Sequence, residues 1–397
     1  MTWEQIVSIL ALVLAVIAVI VGALVLHRLS QARQRVPGLN GAGRPDGETG
    51  EEAPSGPPAI VINPTKTTEA EAIRILVGEL CAELAMPEPL WLETTAEDPG
   101  HGQARSALEQ GASVVVAAGG DGTVRAVASA LAGTRTPMGL LPMGTGNLLA
   151  RNLDLPVESG TRSLLATALT GAEHPIDLGW LTPDRLQPPE PPPPPEDEDT
   201  GPEVTAPGAA EPEPPRRAPD EPDEHLFLVM AGVGFDAAMV ADTGEQMKAR
   251  MGWFAYFVAG VRHLHRRKVR LTLTIGDGQP IHLKLRSLLF ANCGRLPGGM
   301  VLLPDAEIDD GWLDIAAIDT RGGLIGWASL FGKVVLQGVG VRRELRGQPG
   351  TIDFWRGREI SVRCEQPGPI QVDGDLIGDA IGLKIRVQPG GLVVRTR

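Results

Sequence analysis

The stretch "SVVVAAGGDGTVRAVASAL", Ser113–Leu131, decides how the chain is read. Ser113–Ala118 is a short, Val-rich apolar run of the kind that forms a strand buried in a parallel sheet. It stops at Gly119-Gly120-Asp121-Gly122-Thr123. Beyond it Val124, Val127, Ala128 and Leu131 fall at helical spacing. A strand, a glycine turn and a helix N-terminus together make an anion site, because free backbone N–H groups and the helix dipole both favour phosphate there. Glycine lets the backbone approach a phosphate with no Cβ in the way. Asp121 would repel a bare phosphate, so its presence predicts a Mg²⁺ between the carboxylate and a polyphosphate such as ATP.

Two other segments repeat this design. "AIVINPTK", Ala59–Lys66, is an apolar strand that ends in small polar residues. "MGLLPMGTGNLLARNL", Met138–Leu153, is a strand, a Gly-Thr-Gly-Asn loop and a helix start. Three βα units with polar loops at their C-terminal ends predict an open α/β sheet with a nucleotide crevice. The chain has no GxxxxGK[ST], HRD or DFG motif, which excludes a P-loop protein and a protein kinase.

Charge is distributed unevenly over the 397 residues. The net charge is −13, and Pro183–Glu224 holds 13 acidic against 3 basic residues, or −10 of it. The remainder is nearly neutral, so the acidic balance describes one segment and not a binding surface, and no nucleic-acid partner is expected. That segment, with "PPEPPPPPEDEDTGPE" and "EPEPPRRAPDEPDE", cannot bury a core and reads as an extended loop insertion. Cys81, Cys293 and Cys364 are widely spaced, as buried thiols in a reducing compartment would be. Val7–Leu26 is uncharged with Ser8 its only polar side chain, and about 20 apolar residues suffice to cross a bilayer. Arg28, Arg33 and Arg35 follow it and predict a cytoplasmic location for the rest of the chain. Val36–Pro58, rich in Gly, Pro and Glu, reads as a tether.

From Pro175 onwards short runs alternate apolar and polar residues: "PIDLGWL", "LFLVMAGVGF", "VRLTLTI", "IHLKLRSLLFANC", "LDIAAI", "EISVRC", "PIQVDG", "GLKIRV" and "GLVVRTR". Period-two alternation between turn residues predicts an antiparallel β-sandwich. Met247–Leu264 reads as helical, and the basic run Arg262–Arg270 as a solvated face or a rest for anionic headgroups. Two acidic turns stand out. "LLPDAEIDDGWLDI" is either a solvated hairpin or a seat for a hard cation. "VDGDLIG", Val372–Gly378, is either a plain turn or a pair of carboxylates suited to accepting a hydroxyl proton.

The segments "GGDGTVRAV" and "GLLPMGTGNLLARNLDLP" strongly resemble the catalytic domain of diacylglycerol kinases and related bacterial lipid kinases, a domain that sphingosine kinases share. "VINPTK", "LETTAEDPGHGQAR", "MAGVGFDA", "LLPDAEIDDGWLDI" and "IQVDGDLIG" are similar to further family segments in the same order, from about Ala59 to the C-terminus. The resemblance implies that ATP lies against Asn63, Pro64, Thr65, Lys66, Thr95 (or Thr94), Gly119, Gly120, Asp121, Gly122, Thr123, Gly144, Thr145, Gly146 and Asn147. It implies a structural Mg²⁺ held by the Asp310 carboxylate and the carbonyls of Glu307 and Trp312. It implies Asp375 as proton acceptor, with Asp373 adjacent in role. Relatives usually carry Glu where Asp375 stands, Ser or another small residue at Lys66, and Asp at Leu148, and "DPG" lengthens the Thr95 segment.

The resulting expectation is a membrane anchor over 1–26, a tether over 27–58, an α/β ATP-binding domain over 59–175 and a β-sandwich domain over 176–397 with the insertion 183–224. The expected activity is ATP-dependent phosphorylation of a primary hydroxyl on a membrane lipid, diacylglycerol first, at the cell membrane with the kinase domain in the cytoplasm. A kinase for a sphingoid base or a polyprenol, and an inactive regulator, are the alternatives. An NAD kinase shares the Gly-Gly-Asp-Gly-Thr loop but lacks the Asp-Gly-Asp ending and leaves the apolar N-terminus unexplained. Homodimerisation stays open.

Overall fold

The computed structural model describes residues 56–67, 69–157, 160–185, 224–234, 268–295, 301–303, 305–320 and 350–397. Val7–Leu26, almost all of the tether, the bulk of the insertion, Met247–Leu264 and the first part of the basic run lie outside the described residues. Among the described residues no helix is long and apolar enough to cross a membrane.

The N-terminal half is a parallel sheet in the order β4-β3-β1-β2, built from β1 (Pro58–Ile62), β2 (Leu90–Glu93), β3 (Val114–Gly119) and β4 (Met138–Pro142). The unbroken apolar run of β3 has a physical reason. Val115 and Ala117 face one side, toward Ala104 and Ala107 of α2 (His101–Glu109) and Val124, Val127, Ala128 and Leu131 of α3 (Asp121–Leu131). Val114, Val116 and Ala118 face the other side. There they meet α1 (Ala70–Glu83), through Ile73, Val77, Leu80 and Cys81, and α5 (Thr161–Thr170), through Leu164, Leu165, Ala168 and Leu169. A strand covered on both faces has no solvent side to make polar. Helix α5 lies so close to β4 that a Cβ at Gly139 would stand 2.5 Å from the Ala168 carbonyl oxygen. The helix α4 (Leu148–Asn152) follows β4.

The second half is antiparallel. It comprises β5 (Ala172–Asp184), β6 (His225–Phe227), β7 (Met230–Gly234), β8 (Val269–Ile275), β9 (Ile281–Leu285), β10 (Ser287–Ala291), β11 (Leu313–Thr320), β12 (Gly350–Gly357), β13 (Glu359–Val372) and β14 (Asp375–Thr396). Its strands continue the parallel sheet through β14, which pairs with β5 over most of its length and touches β4 at Val394–Met138. The apolar core is also continuous, since Leu226, Leu228, Val229, Met230 and Leu289 join the cluster of α3 and β3. A separate cluster built on Phe227, Leu273, Phe290, Ile315 and Ile370 fills the interior of the antiparallel half. The insertion leaves after β5 and returns at β6, and these two strands are paired at Leu181–His225, so its ends meet at one edge.

The structure differs from the sequence reading in detail. "EISVRC" and "PIQV" are one bulged strand, β13, and the two last runs merge into β14. The run "IHLKLRSLLFANC" breaks at Arg286 into β9 and β10. Strand β12, "GTIDFWRG", escaped the pattern because Asp353 and Arg356 interrupt its apolar residues and Phe354 stays exposed. Helix α3 begins at Asp121, three residues ahead of the first apolar position, Val124, so Asp121 belongs to its first turn.

Candidate active site

The expected nucleotide loops gather at the C-terminal ends of β1, β2, β3 and β4, the crevice where open α/β sheets bind ligands. After β1, Asn63 caps a 3-10 turn over Pro64–Lys66, its Oδ1 accepting from Thr65 N (3.0 Å) and Thr65 Oγ1 (2.7 Å). Thr65 and Lys66 are exposed. After β2, the buried Thr94 donates its N–H to the Ile62 carbonyl. Thr95 is exposed and closes a turn with Asp98. After β3, a Cβ at Gly119 would come within 2.7 Å of the buried Thr123 side chain. A Cβ at Gly144 would stand 2.9 Å from the Gly120 Cα. The two glycine loops are thus packed closely, which explains glycine at position 144.

Asp121 is the hinge of this packing. Its Oδ1 accepts the Leu148 N–H at 2.6 Å, which caps α4 from a neighbouring helix. Asn147, at the N-cap position itself, is left-handed (φ 48°) and exchanges hydrogen bonds with Gly144 instead. Asp121 Oδ2 lies 2.5 Å from where a Gly146 Cβ would be, so Gly146 makes room for the carboxylate. Beyond the nucleotide and Mg²⁺ role expected of Asp121, one of its oxygens serves as this cap. Thr145, between the two glycines, is exposed.

The second half brings in the turn "VDGD". Val372 pairs with Asp375, so Asp373-Gly374 is a two-residue hairpin between β13 and β14. Both central residues have positive φ, 47° and 87°, the geometry that favours Asp-Gly in such turns. The Asp373 carboxylate accepts N–H groups from Leu228 (2.8 Å), Val229 (2.9 Å) and Met230 (3.0 Å). It pins β7 to the turn and is committed to that task. Asp375 is different: its side chain is 58% exposed, and its Oδ2 accepts from Arg125 Nη2 of α3 at 2.6 Å. A small cleft is lined by Asp121, Val124, Leu148, Leu149, Leu228, Val229 and Asp373. Burial pushes the carboxyls of Asp121 and Asp373 up from their ordinary range. The Leu148 N–H counters this at Asp121, while the nearby charges of Asp373 and Asp375 push it further up. At Asp373 the Arg125 charge and the three N–H bonds pull the other way. Asp121, Asp373 and Asp375 thus lie close enough to sense one another beside the glycine loops.

In the expected structural metal loop the Asp310 carboxylate has protein partners of its own. The Asp310 carboxylate accepts the Trp312 N–H (3.0 Å) and pairs with Arg356, which also reaches Asp314. Glu307 and Trp312 are exposed, and no cluster of three His, Cys, Asp or Glu that could hold a metal occurs among the described residues. Arg356 supplies the positive charge here. The loop is anchored instead by the buried Asp177, whose oxygens accept from Gly311 N (2.6 Å) and Gly390 N (2.7 Å). The three aspartates near the glycine loops likewise form no closed metal cage. They suit a Mg²⁺ that arrives with phosphates and keeps few protein ligands.

Sequence reasoning passed over Arg125, Asp177 and Arg356. Arg125 stands one helical turn after Asp121, a spacing that could have flagged it. Nothing in the sequence pairs Asp177 or Arg356 with loops more than forty residues away.

The comparisons with known proteins match this arrangement in both halves. The diacylglycerol kinase catalytic domain matches residues 58–181, and the YegS C-terminal NAD kinase beta sandwich-like domain matches residues 229–396. The chain belongs to the diacylglycerol kinase-like family of lipid kinases. It is 28% identical over 288 residues to the Pseudomonas putida protein named "Probable lipid kinase YegS-like", covering 72% of this chain and 78% of that one. It is 28% identical over 274 residues to the diacylglycerol kinase of Mycobacterium tuberculosis, covering 68% of this chain and 72% of the relative. The crystal structure of a diacylglycerol kinase from Bacillus anthracis has the same fold, with a TM-score of 0.56, 14% identity and coverage of 86% of this chain and 97% of that one. The chain is thus a lipid kinase of this family, with the expected α/β kinase half and β-sandwich half.

Proposed function

We propose that this lipid kinase transfers the γ-phosphoryl group of ATP to the primary hydroxyl of diacylglycerol, giving phosphatidic acid. The observation that carries this reading is the hairpin turn that delivers an exposed carboxylate, Asp375, to the helix of the Gly-Gly-Asp-Gly-Thr loop. Phosphoryl transfer needs positioning and charge neutralisation more than covalent chemistry, and a carboxylate near the acceptor hydroxyl completes the set. In this reading Asn63–Lys66, Thr95, Gly119–Thr123 and Gly144–Asn147 would surround ATP, and Asp121 would hold its Mg²⁺, which would supply positive charge to the phosphates. The lipid oxygen bonds to the γ-phosphorus, the bond to the β–γ bridging oxygen breaks, and the hydroxyl proton passes to Asp375. ADP leaves with the bridging oxygen's charge, which a bound Mg²⁺ would help to neutralise.

Asp375 is preferred over Asp373 because Asp373 is held by three backbone N–H groups. The exposed Leu376 beside Asp375 suits an apolar substrate. Diacylglycerol is named first because the Mycobacterium tuberculosis relative is named a diacylglycerol kinase. The apolar run Val7–Leu26 supports a single-pass anchor that holds the kinase at the cytoplasmic face, where substrate is reached within the membrane plane. The test is labelled ATP with the full chain in mixed micelles holding dioleoylglycerol, sphingosine or a polyprenol in turn. Label in the dioleoylglycerol product above the other two supports the reading. Label only in another alcohol replaces the substrate.

A further inference from the structure

The functional reading above gives Arg125 no task. Its side chain is 22% exposed, on the first turns of α3, four residues after Asp121. The guanidinium is shared between two acceptors: Nη1 donates to the Val372 carbonyl at 2.7 Å and Nη2 to Asp375 Oδ2 at 2.6 Å. These acceptors are the first and last residues of the Asp373-Gly374 hairpin turn. We infer that Arg125 is a positioning residue for phosphoryl transfer, clamping the hairpin turn and the Asp375 carboxylate against the helix that begins at the glycine loop. The inference rests on the lipid-kinase reading and assigns the device that makes its two motifs one site.

The physical case has three parts. An exposed carboxylate without a partner samples several rotamers, and transfer to a proton acceptor depends on sub-ångström placement. An exposed ion pair by itself would hold it weakly. Arginine does more, because its planar fork fixes direction when its N–H groups reach different acceptors, and the Val372 carbonyl is that second point. Helix α3 also reaches in both directions: Asp121 ties it to α4 through the Leu148 N–H, and Arg125 ties it to the turn of β13 and β14. One turn of helix therefore fixes the Gly-Thr-Gly-Asn loop and the proton acceptor relative to each other. The guanidinium also places a positive charge among Asp121, Asp373 and Asp375, whose mutual repulsion would otherwise spread the site. Lysine could satisfy one acceptor but lacks the rigid fork.

The test uses the full chain as wild type, Arg125→Gln, Arg125→Lys, Asp375→Asn and the Arg125→Gln/Asp375→Asn double variant. Phosphorylation of dioleoylglycerol in mixed micelles and amide exchange of the 370–378 segment are both read. With an active wild type, Arg125→Gln should lower kcat by about tenfold or more while the KM for ATP moves by less than about twofold, with Arg125→Lys in between. The double variant should be no slower than Asp375→Asn by more than about twofold, because a clamp without its carboxylate has nothing to place. Unchanged kcat in Arg125→Gln, or a double variant slower by the product of the two single effects, overturns the inference. If Arg125→Gln does not fold, Arg125→Lys carries the same comparison. If the wild type phosphorylates no lipid alcohol, the kinase reading fails, and amide exchange alone judges the clamp. Faster exchange in the turn of Arg125→Gln then supports it, and identical exchange overturns it.

Discussion

The Asp373-Gly374-Asp375 turn and the Glu307–Trp312 loop look alike in sequence, each a short acidic turn beside a β-run. Folding treats their charges differently. In the loop, Asp310 is paired with Arg356 from the adjacent strand β12 and accepts its own neighbour's N–H, so its charge is consumed within the antiparallel half. In the hairpin, one carboxylate is consumed by β7, and the other is handed across to α3 of the parallel half. Acidic residues close in sequence can therefore be structural or reactive, and the partner element decides which. A carboxylate tied to three backbone N–H groups holds strands together. In the proposed reading, the carboxylate that stays 58% exposed and meets a single guanidinium at the crevice is the one that takes the proton.

The sharpest way to break this comparison is to neutralise each carboxylate in turn. Asp375→Asn should lower kcat by about 10²–10⁴-fold, the usual loss for a general base, with little change in the KM for ATP. Asp310→Asn should leave kcat within about twofold, since that charge serves Arg356. Equal kinetic losses in the two variants would erase the distinction. Asp375→Glu, which restores the residue usual in relatives, should keep substantial activity.

Next in size is a stability effect. Asp373→Asn retains one acceptor oxygen where three N–H groups now bond to two, and turns an N–H₂ toward donors. Hydrogen bonds to a charged group contribute about 1.5–3 kcal/mol each, so the midpoint of denaturant unfolding should fall clearly. Asp375→Asn, on an exposed side chain, should leave that midpoint almost unchanged.

Asp121 separates charge from cap. Its folded-state carboxyl is pushed up by burial, so the ionised form is disfavoured in the folded chain above the unfolded carboxyl range. That penalty is present at neutral pH and fades as pH falls and the carboxyl is protonated. Asp121→Asn keeps an oxygen for the Leu148 N–H and removes the buried charge. It should raise or preserve the thermal midpoint at pH 7 while reducing ATP turnover at limiting Mg²⁺. A lower midpoint with unchanged turnover would make Asp121 purely structural. The smallest expected effect is that of Arg356→Gln, a modest loss of thermal stability with unchanged kcat.

Much of this was legible in the sequence because local physics dictated it. The Val-rich run of β3 has to be buried on both faces, and Gly144 has to be glycine because a Cβ there would strike the Gly120 Cα. The turn at Val372–Gly378 was legible as a turn, and the structure makes Asp373-Gly374 its two-residue hairpin centre. What stayed hidden were partners set by long-range folding. The Arg125–Asp375 pair spans 250 residues, and Asp177 reaches Gly311 and Gly390 through strands that only the finished sheet brings together. The Arg356 partner of Asp310 was hidden for the same reason, since it arrives from a strand whose mixed polar pattern concealed it.

The most direct test of the central claim is transfer of label from [γ-³²P]ATP to dioleoylglycerol by the full chain, measured side by side for the wild type, Asp375→Asn and Asp310→Asn. The account predicts labelled phosphatidic acid from the wild type and from Asp310→Asn at comparable rates, and a rate at least about 10²-fold lower from Asp375→Asn. Equal rates from Asp375→Asn and the wild type would contradict it.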